Sequence, residues 1–381
     1  MATSDPRLVA VEWARLEGQR PRPAGSNARL GEHGSRISLP LARVTTDDGS
    51  TGFGAGVVTP AQAERVMGAR LSEVFSVADG PHPTALPLEF ALWDLVGQLI
   101  GQPVYALAAE RFGLPAPERL RVPCYDTSLY FDDLALASHA DAAALLADEA
   151  REGYARGHRA FKLKLGRGAR HMPLEEGTRR DIAVVRAVRA AVGPGLPLLL
   201  DANDGYNLNL AKHVLAETAD CEIFWLEEAF HEDAVLYRDL RDWLDANHLP
   251  VLIADGEGLA SPRLLDWAQA GLVDVIQTDL YDLGFSGWLN TGRQLDAWGR
   301  RSAPHHYSTH YGNYAACHLA GAIRNFAYVE WDEATTPGLA APGYAIENGF
   351  VYVPPAPGFG LKLDAQVFGA AVEANGFRVA V

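Results

Sequence analysis

Short hydrophobic runs alternate with amphipathic stretches over most of the chain beyond residue 120. The amphipathic stretches have helical spacing of their apolar residues, most clearly at 142–156, 178–192, 208–219 and 262–270. Eight strands with helices between them predict a parallel sheet, and eight is the number that closes a (β/α)8 barrel. The eight predicted strands are 122–125, 160–163, 196–200, 222–226, 251–254, 273–277, 302–304 and 327–329.

The first 120 residues have a different pattern, with strands first and helices after. Alternation predicts strands at 8–13, 37–44 and 52–58, and helical spacing follows at 61–72 and 88–111. We therefore predict an α+β domain over 1–120 and an α/β barrel over 121–335. The Gly/Pro-rich segment 336–381 ends in a strand-like tail, which we expect to return to the first domain and complete it.

Composition narrows the possible partners. The chain has 381 residues, 48% of them hydrophobic, and a formal net charge of −15. A surface this acidic repels phosphate backbones and anionic lipid, so we expect neither a nucleic-acid nor a membrane partner. The odd number of cysteines, three, argues against a disulfide framework, and the N-terminus lacks the pattern of a signal peptide. We expect a cytoplasmic protein.

Acidic side chains follow three successive predicted strands of the barrel. Asp201 ends LLLD, Glu227 follows FWL, and Glu257 lies in ADGEG. The carboxyl ends of barrel strands open onto one face, so these carboxylates converge. They cannot all remain ionised together unless a cation is present, and hard oxygen ligands without cysteine favour Mg²⁺.

Two further groups at the same rim have acid–base chemistry. Lys162 and Lys164 lie two residues apart in a strand and therefore point to the same side, where we expect each to lower the pKa of the other. A lysine tuned towards neutrality can take a proton from carbon. Asp279 and His305 follow strands six and seven, and an aspartate that accepts a hydrogen bond from histidine fixes its tautomer. His306 remains an alternative to His305.

The motifs AFKLKLG, LLLDAN, WLEEAF, IADGEG, VIQTD, APHHYS and VEWDE occur in family order. Over about residues 120–335 the chain resembles the enolase superfamily, specifically its mandelate racemase subgroup, and the first domain resembles the capping domain of that family. The resemblance implies removal of a proton α to a carboxylate. It implies one Mg²⁺ per subunit, held by Asp201, Glu227 and Glu257, although Asp255 could replace Glu257.

The resemblance also implies the roles of the remaining rim residues. Lys164 is one base with Lys162 as its electrostatic partner, and the Asp279–His305 dyad is the other. Glu330 resembles the acid that hydrogen-bonds the substrate carboxylate, and we expect it to be protonated. Family members are usually homo-oligomers, from dimers to octamers.

An enolate formed in this way has more than one fate. We expect dehydration of a sugar acid, an aldonate or aldarate, to a 2-keto-3-deoxy acid, which makes the protein a hydro-lyase. A racemase or epimerase, and after it a cycloisomerase, are the alternatives on the same scaffold. A catalytically inactive binding barrel would not need two opposed bases, and a two-metal amidohydrolase would need a His-x-His that strand one lacks.

The substrate contacts are the least specific part of the sequence. A polar loop at 18–34 contains several Arg, Asn and His side chains, which suit a polyhydroxylated substrate. The candidate substrate-binding residues are Asn27, Arg29, His33, Tyr125, Asn203 and His306.

Overall fold

The computed structural model describes residues 5–381. The strands, in chain order, are β1 (Leu8–Ala24), β2 (Gly34–Thr46), β3 (Thr51–Ala55), β4 (Phe75–Ser76), β5 (Gly80–Pro81), β6 (Leu120–Leu129), β7 (Phe161–Lys164), β8 (Leu198–Asp201), β9 (Ile223–Glu227), β10 (Leu252–Asp255), β11 (Val275–Ile276), β12 (Arg301–Ser302), β13 (Val329–Trp331), β14 (Leu339–Ala340), β15 (Ala345–Glu347), β16 (Phe350–Val353), β17 (Lys362–Leu363) and β18 (Phe377–Ala380).

Helices separate most of these strands. They are α1 (Pro60–Glu64), α2 (Leu71–Val74), α3 (Glu89–Ile100), α4 (Val104–Arg111), α5 (His139–Ala155), α6 (Leu174–Val192), α7 (Leu208–Glu217), α8 (Ala234–Ala246), α9 (Leu264–Gln269), α10 (Leu280–Trp298), α11 (Tyr311–Leu319) and α12 (Ala365–Asn375), with 3₁₀ turns at Pro83–Leu88, Arg167–Ala169 and Ala219–Cys221. Within the described part of the chain, none of these helices has the length and apolar character needed to cross a bilayer.

The central feature is a mixed α/β fold with a parallel sheet. Its parallel strands follow one another in the order β13, β6, β7, β8, β9, β10, β11 and β12. Each of the eight predicted strands overlaps one of them. A single parallel bridge, Ser302 to Phe326, links β12 to the segment before β13. One side chain from each strand or its edge packs into a common cluster, formed by Tyr125, Ala160, Leu199, Trp225, Ala254, Val275, Ala303 and Ala327.

The two ends of the chain meet in a second sheet with the order β18, β1, β2 and β3. Strand β18 pairs antiparallel with β1, while β16 pairs antiparallel with β6. Helix α3 packs directly on β3 at Gly52, where the absence of a side chain allows the close approach. A Cβ at this position would be 2.3 Å from the backbone nitrogen of Leu95. The domain boundaries at 120 and 335 stay a prediction.

Two expectations for the N-terminal part were wrong in detail. The helix expected at 88–111 is two helices, because α3 ends at Gly101, which has a left-handed φ of +74°, and α4 begins after Pro103. The polar loop expected at 18–34 begins later, because residues 18–24 belong to β1, which pairs with β2 at residues 18, 19 and 24. Polar side chains on a paired strand look like a loop to a pattern-based prediction.

Candidate active site

Three carboxylates converge where β8, β9 and β10 end. Asp201 and Glu227 are the last residues of their strands, and Glu257 lies two residues beyond β10. One carboxylate oxygen from each lies within 4.8 Å of the other two. Gly256, with φ +128°, turns the chain so that Glu257 reaches this point. Oε2 of Glu257 is buried and accepts no hydrogen bond within residues 5–381.

The neighbouring acid Asp255 takes part in a different contact. Its Oδ2 accepts a hydrogen bond from the hydroxyl of Tyr237 in α8 at 2.5 Å, and its Oδ1 accepts the N–H of Gly256. These donors hold the Asp255 carboxyl towards α8, and burial raises its pKa well above the ordinary value. The geometry therefore favours Glu257 over Asp255 as the third oxygen ligand.

Both lysines of β7 lie among the carboxylates. Nζ of Lys162 is 2.9 Å from Glu227, 3.3 Å from Glu330 and 3.5 Å from Asp201. Nζ of Lys164 donates to Oδ2 of Asp201. Burial acts to lower the pKa of each lysine, but the surrounding carboxylates outweigh burial and raise both pKa values. Lys162 does lower the pKa of Lys164, as expected, but the neighbouring carboxylates outweigh this contribution, so neither lysine is tuned towards neutrality by its partner alone.

His305 and Asp279 form the expected pair. Nδ1 of His305 lies 2.6 Å from Oδ1 of Asp279, whose other oxygen accepts the N–H of Gly258 at 2.8 Å. A carboxylate only accepts, so Nδ1 has the proton and Nε2 faces Glu257 at 3.5 Å and Glu330 at 3.8 Å. Burial acts to lower the pKa of His305, but these carboxylates raise it to about 10.

Glu330 lies in β13, and both of its carboxylate oxygens accept hydrogen bonds. Oε1 accepts the hydroxyl of Thr127 at 2.8 Å, and Oε2 accepts the N–H of His306 at 2.9 Å. Burial acts to raise the pKa of Glu330, but Lys162 and then His305 hold it well below the ordinary value. Glu330 is therefore ionised, and the expectation of a protonated acid was wrong. The sequence argument missed Thr127, although strand alternation places it on the same side as Tyr125.

Three predicted substrate contacts lie near this rim. Asn203, with φ +43°, donates to Glu228 at 2.8 Å through Nδ2 and leaves Oδ1 without a partner in the described structure. The ring of Tyr125 lies inside the sheet, 5.1 Å from Nζ of Lys162, and its buried hydroxyl also has no protein partner there. The ring nitrogens of His306 are likewise unpartnered, and burial lowers its pKa to about 4.

The other three lie on the segment 25–33, which covers the rim. Oδ1 of Asn27 accepts the N–H groups of Arg29 and Leu30, so it closes its own turn. Arg29 is half exposed and pairs with Asp204 at 3.0 Å. Both side chains thus already have partners within the protein, and their part in substrate binding stays a prediction. His33 lies edge-on to the ring of Tyr130, at 5.0 Å between ring centroids.

The covering segment sits on two glycines of the rim. A Cβ at Gly166 or Gly205 would lie 2.9 or 2.6 Å from the Cβ of Ala28. The N–H of Gly166 donates to Asp181 at 2.9 Å, and Asp181 pairs with the buried guanidinium of Arg167 at 2.7 Å. This network fixes the loop that follows Lys164, so the covering segment and the lysine share one support.

Comparison with known proteins places this arrangement in a family. The family described as enolase C-terminal domain-like matches residues 145–367, more than half of the chain. The chain therefore belongs to this family of the enolase superfamily, and the resemblance seen in the sequence motifs is confirmed.

Particular relatives are also similar over nearly the whole chain. A structure of galacturonate dehydratase from a Geobacillus species, complexed with D-galacturonate and 5-keto-4-deoxy-D-galacturonate, is 48% identical, covers 98% of this chain and 99% of that one, and has a TM-score of 0.94. A variant of galacturonate dehydratase from a Geobacillus species, complexed with Mg, is 48% identical over 99% of this chain and 98% of that one, with a TM-score of 0.96. D-galactarolactone cycloisomerase from Agrobacterium fabrum is 28% identical and covers 94% of this chain and 97% of its own length.

Proposed function

We propose that this protein is a Mg²⁺-dependent hydro-lyase that dehydrates a sugar acid, with a hexuronate such as D-galacturonate as the first candidate. The observation that carries the proposal is the placement of Lys164 and His305 around one cluster of three carboxylates. The choice of a uronate is supported by the 48% identical galacturonate dehydratase. Hexuronates therefore replace the aldonates and aldarates expected from sequence as the first substrates to test. The reaction is the same when the carbons are numbered from the carboxylate, because the α-proton and the β-hydroxyl are lost in each case.

The metal would be held by Asp201, Glu227 and Glu257. Three hard oxygen donors suit Mg²⁺, and the unpartnered Oε2 of Glu257 is an acceptor that a cation would satisfy. When bound, the metal supplies Lewis-acid stabilisation of the charge that grows on the substrate carboxylate.

The remaining steps belong to side chains of this chain. Lys164 acts once its ammonium has lost a proton, which a cation offsetting the charge of Asp201 would favour. The neutral amine then accepts the proton from the carbon α to the carboxylate, and the C–H electrons form the double bond of an enolate. Lys162 stabilises the negative charge from its position between Glu227 and Glu330. As the enolate collapses, the bond to the β-hydroxyl breaks and Nε2 of His305 gives that oxygen a proton, so water leaves. The resulting enol tautomerises to the keto acid.

The finer architecture is part of the same proposal. We propose that the eight parallel strands close into a (β/α)8 barrel, which the Ser302–Phe326 bridge supports. The sheet of β1, β2, β3 and β18 is proposed to be the capping domain, completed by the C-terminal tail. The expected homo-oligomer is tested by size-exclusion chromatography with light scattering, and the expected cytoplasmic location by cell fractionation.

A second function uses the same enolate without loss of water. Reprotonation by His305 would give an epimer, and the cycloisomerase relative favours an isomerisation as the competing activity. The two functions differ in their products, not in the first proton transfer.

The test is incubation with sugar acids and Mg²⁺ in D₂O, read by proton NMR and by a colour assay for keto acids. The panel contains D-galacturonate, D-glucuronate, D-gluconate and D-galactonate. We expect the wild type to form keto acid from a hexuronate. The Lys164→Ala variant should form no keto acid and should not exchange the α-proton with solvent. Exchange without keto acid would replace the dehydratase with an epimerase, and neither signal from the wild type would refute both.

A further inference from the structure

A stack of aromatic rings begins beside Lys164. Nζ of Lys164 lies 5.3 Å from the ring centre of Tyr130. That ring stacks on Tyr307 at 5.0 Å with an interplanar angle of 28°. The guanidinium carbon of Arg20 lies 4.3 Å from the centre of the Tyr307 ring. The stack therefore forms a wall that runs from the proposed base, Lys164, to Arg20 in β1.

The wall contains a hydroxyl that the protein leaves unsatisfied. The hydroxyl of Tyr307 is buried and forms no hydrogen bond of normal geometry among residues 5–381. Buried polar groups in folded proteins almost always have a partner, so each exception needs an explanation. A hydroxyl group of a bound ligand beside the wall would supply the missing partner.

His33 adds an acceptor beside the ring of Tyr307. Its ring meets Tyr130 and Tyr307 edge-on, at 5.0 and 5.7 Å. Nδ1 lies 2.8 Å from the carbonyl oxygen of Gly25, which only accepts, so Nδ1 has the proton and Nε2 keeps a free lone pair. Burial lowers the pKa of His33, and Lys164 lowers it further, so the imidazole is neutral.

Two arginines near this end of the site, Arg20 and Arg29, are already paired. Arg20 binds Asp332 through two hydrogen bonds, of 2.9 and 3.2 Å, in a buried ion pair. Arg29 pairs with Asp204, as described above. This end of the site therefore offers neutral donors and acceptors and no free positive charge from these arginines for a second carboxylate.

We propose that Tyr307, assisted by His33, binds the uncharged, hydroxyl-bearing end of the substrate and thereby selects monocarboxylic sugar acids over aldaric diacids. The proposal rests on the proposed function, whose site it completes. A carboxylate placed between Tyr307 and His33 would lose its hydration beside an Arg20 that is already paired with Asp332, whereas a hydroxyl or aldehyde hydrate would satisfy both Tyr307 and His33.

D-Galacturonate and galactarate are a matched pair of substrates for the test, because they differ only in oxidation of carbon 1. We expect kcat/KM for galactarate to be at least about 100-fold lower. Tyr307→Phe removes one oxygen atom and should lower kcat/KM for galacturonate about 10-fold, with unchanged Mg²⁺ affinity and melting temperature. Tyr352→Phe, in β16, is the control and should match the wild type.

Binding separates this inference from the proposed function. Calorimetric titration of the Mg²⁺-loaded Lys164→Ala protein with the two acids measures selection without turnover. Preferential binding of galacturonate, weakened by adding Tyr307→Phe, would support the inference even if the wild type dehydrates neither acid. Equal binding of both acids, or no effect of Tyr307→Phe, would overturn it even if dehydration is observed.

Discussion

Asp94 joins three distant parts of the chain, and its titration should be visible in the stability of the protein. It lies in α3 and is 1% exposed. Its oxygens accept the N–H of Phe53 in β3 at 3.1 Å and the N–H of Phe359 in the C-terminal segment at 2.9 Å. Burial raises the pKa of Asp94 from 3.8 to about 6, in spite of these two donors.

The sign of the pH effect follows from this raised pKa. The folded protein holds the proton of Asp94 more tightly than the unfolded chain, so this stabilisation is complete below about pH 4 and is lost as pH rises through 6. The difference between 3.8 and about 6 corresponds to about 3 kcal/mol. For 381 residues that unfold as one unit, this is about 4 °C in melting temperature.

The perturbation is Asp94→Asn, which cannot ionise. The Asp94→Asn protein should be less stable than the wild type at pH 4, because the amide nitrogen of the new side chain faces a backbone N–H. The deficit in melting temperature should shrink by about 4 °C between pH 4 and pH 7. Scanning calorimetry of both proteins across this range measures the difference. The exposed Asp239→Asn in α8 is the control and should show a constant difference.

A deficit that grows with pH would refute this reasoning. It would mean that the two backbone N–H donors outweigh burial and that ionised Asp94 stabilises the fold. A deficit independent of pH would mean that Asp94 has the same pKa in the folded and unfolded protein.

Three other predictions concern the rim and its support. Glu227→Gln should weaken Mg²⁺ binding at least about 10-fold by calorimetry, because it removes a ligand charge; unchanged affinity would exclude Glu227 as a ligand. Gly205→Ala should raise KM several-fold, since the new methyl would lie 2.6 Å from the Cβ of Ala28 in the covering segment. An unchanged KM would show that the position of the segment does not depend on its contact with Gly205. Asp181→Leu should cost about 2–3 kcal/mol, seen as a fall of about 2–4 °C in melting temperature, because Arg167 would keep only Asp133 as a partner and the N–H of Gly166 and the hydroxyl of Tyr206 would lose their acceptor; an unchanged melting temperature would argue against this network.

The parts of the site that sequence could predict are those fixed by strand periodicity. Asp201 and Glu227 each end a short buried strand, so their convergence follows from the parallel order of β8 and β9. The choice between Asp255 and Glu257 could not be made in this way. It depends on the hydroxyl of Tyr237, which reaches Asp255 from the preceding helix.

Protonation states were beyond the sequence for a different reason. The pKa of Glu330 depends on the distances to Lys162 in β7 and to His305, which follows β12. A motif gives the residue types but not these distances. The turn closed by Asn27 was missed for the same reason, since polar residues in a loop bind their own backbone as readily as a ligand.

The balance of charge at the rim explains how a protein with a net charge of −15 can bind an anion. The ionisable groups that meet there are Asp201, Glu227, Glu257, Asp279 and Glu330 on one side, and Lys162, Lys164 and His305 on the other. As formal charges, five anions against three cations leave an excess of two negative charges, which one divalent cation neutralises. A monocarboxylate then enters a rim without net charge. A diacid would bring a further negative charge to an end where Arg20 is already paired, so the same balance that favours a divalent cation disfavours a second carboxylate.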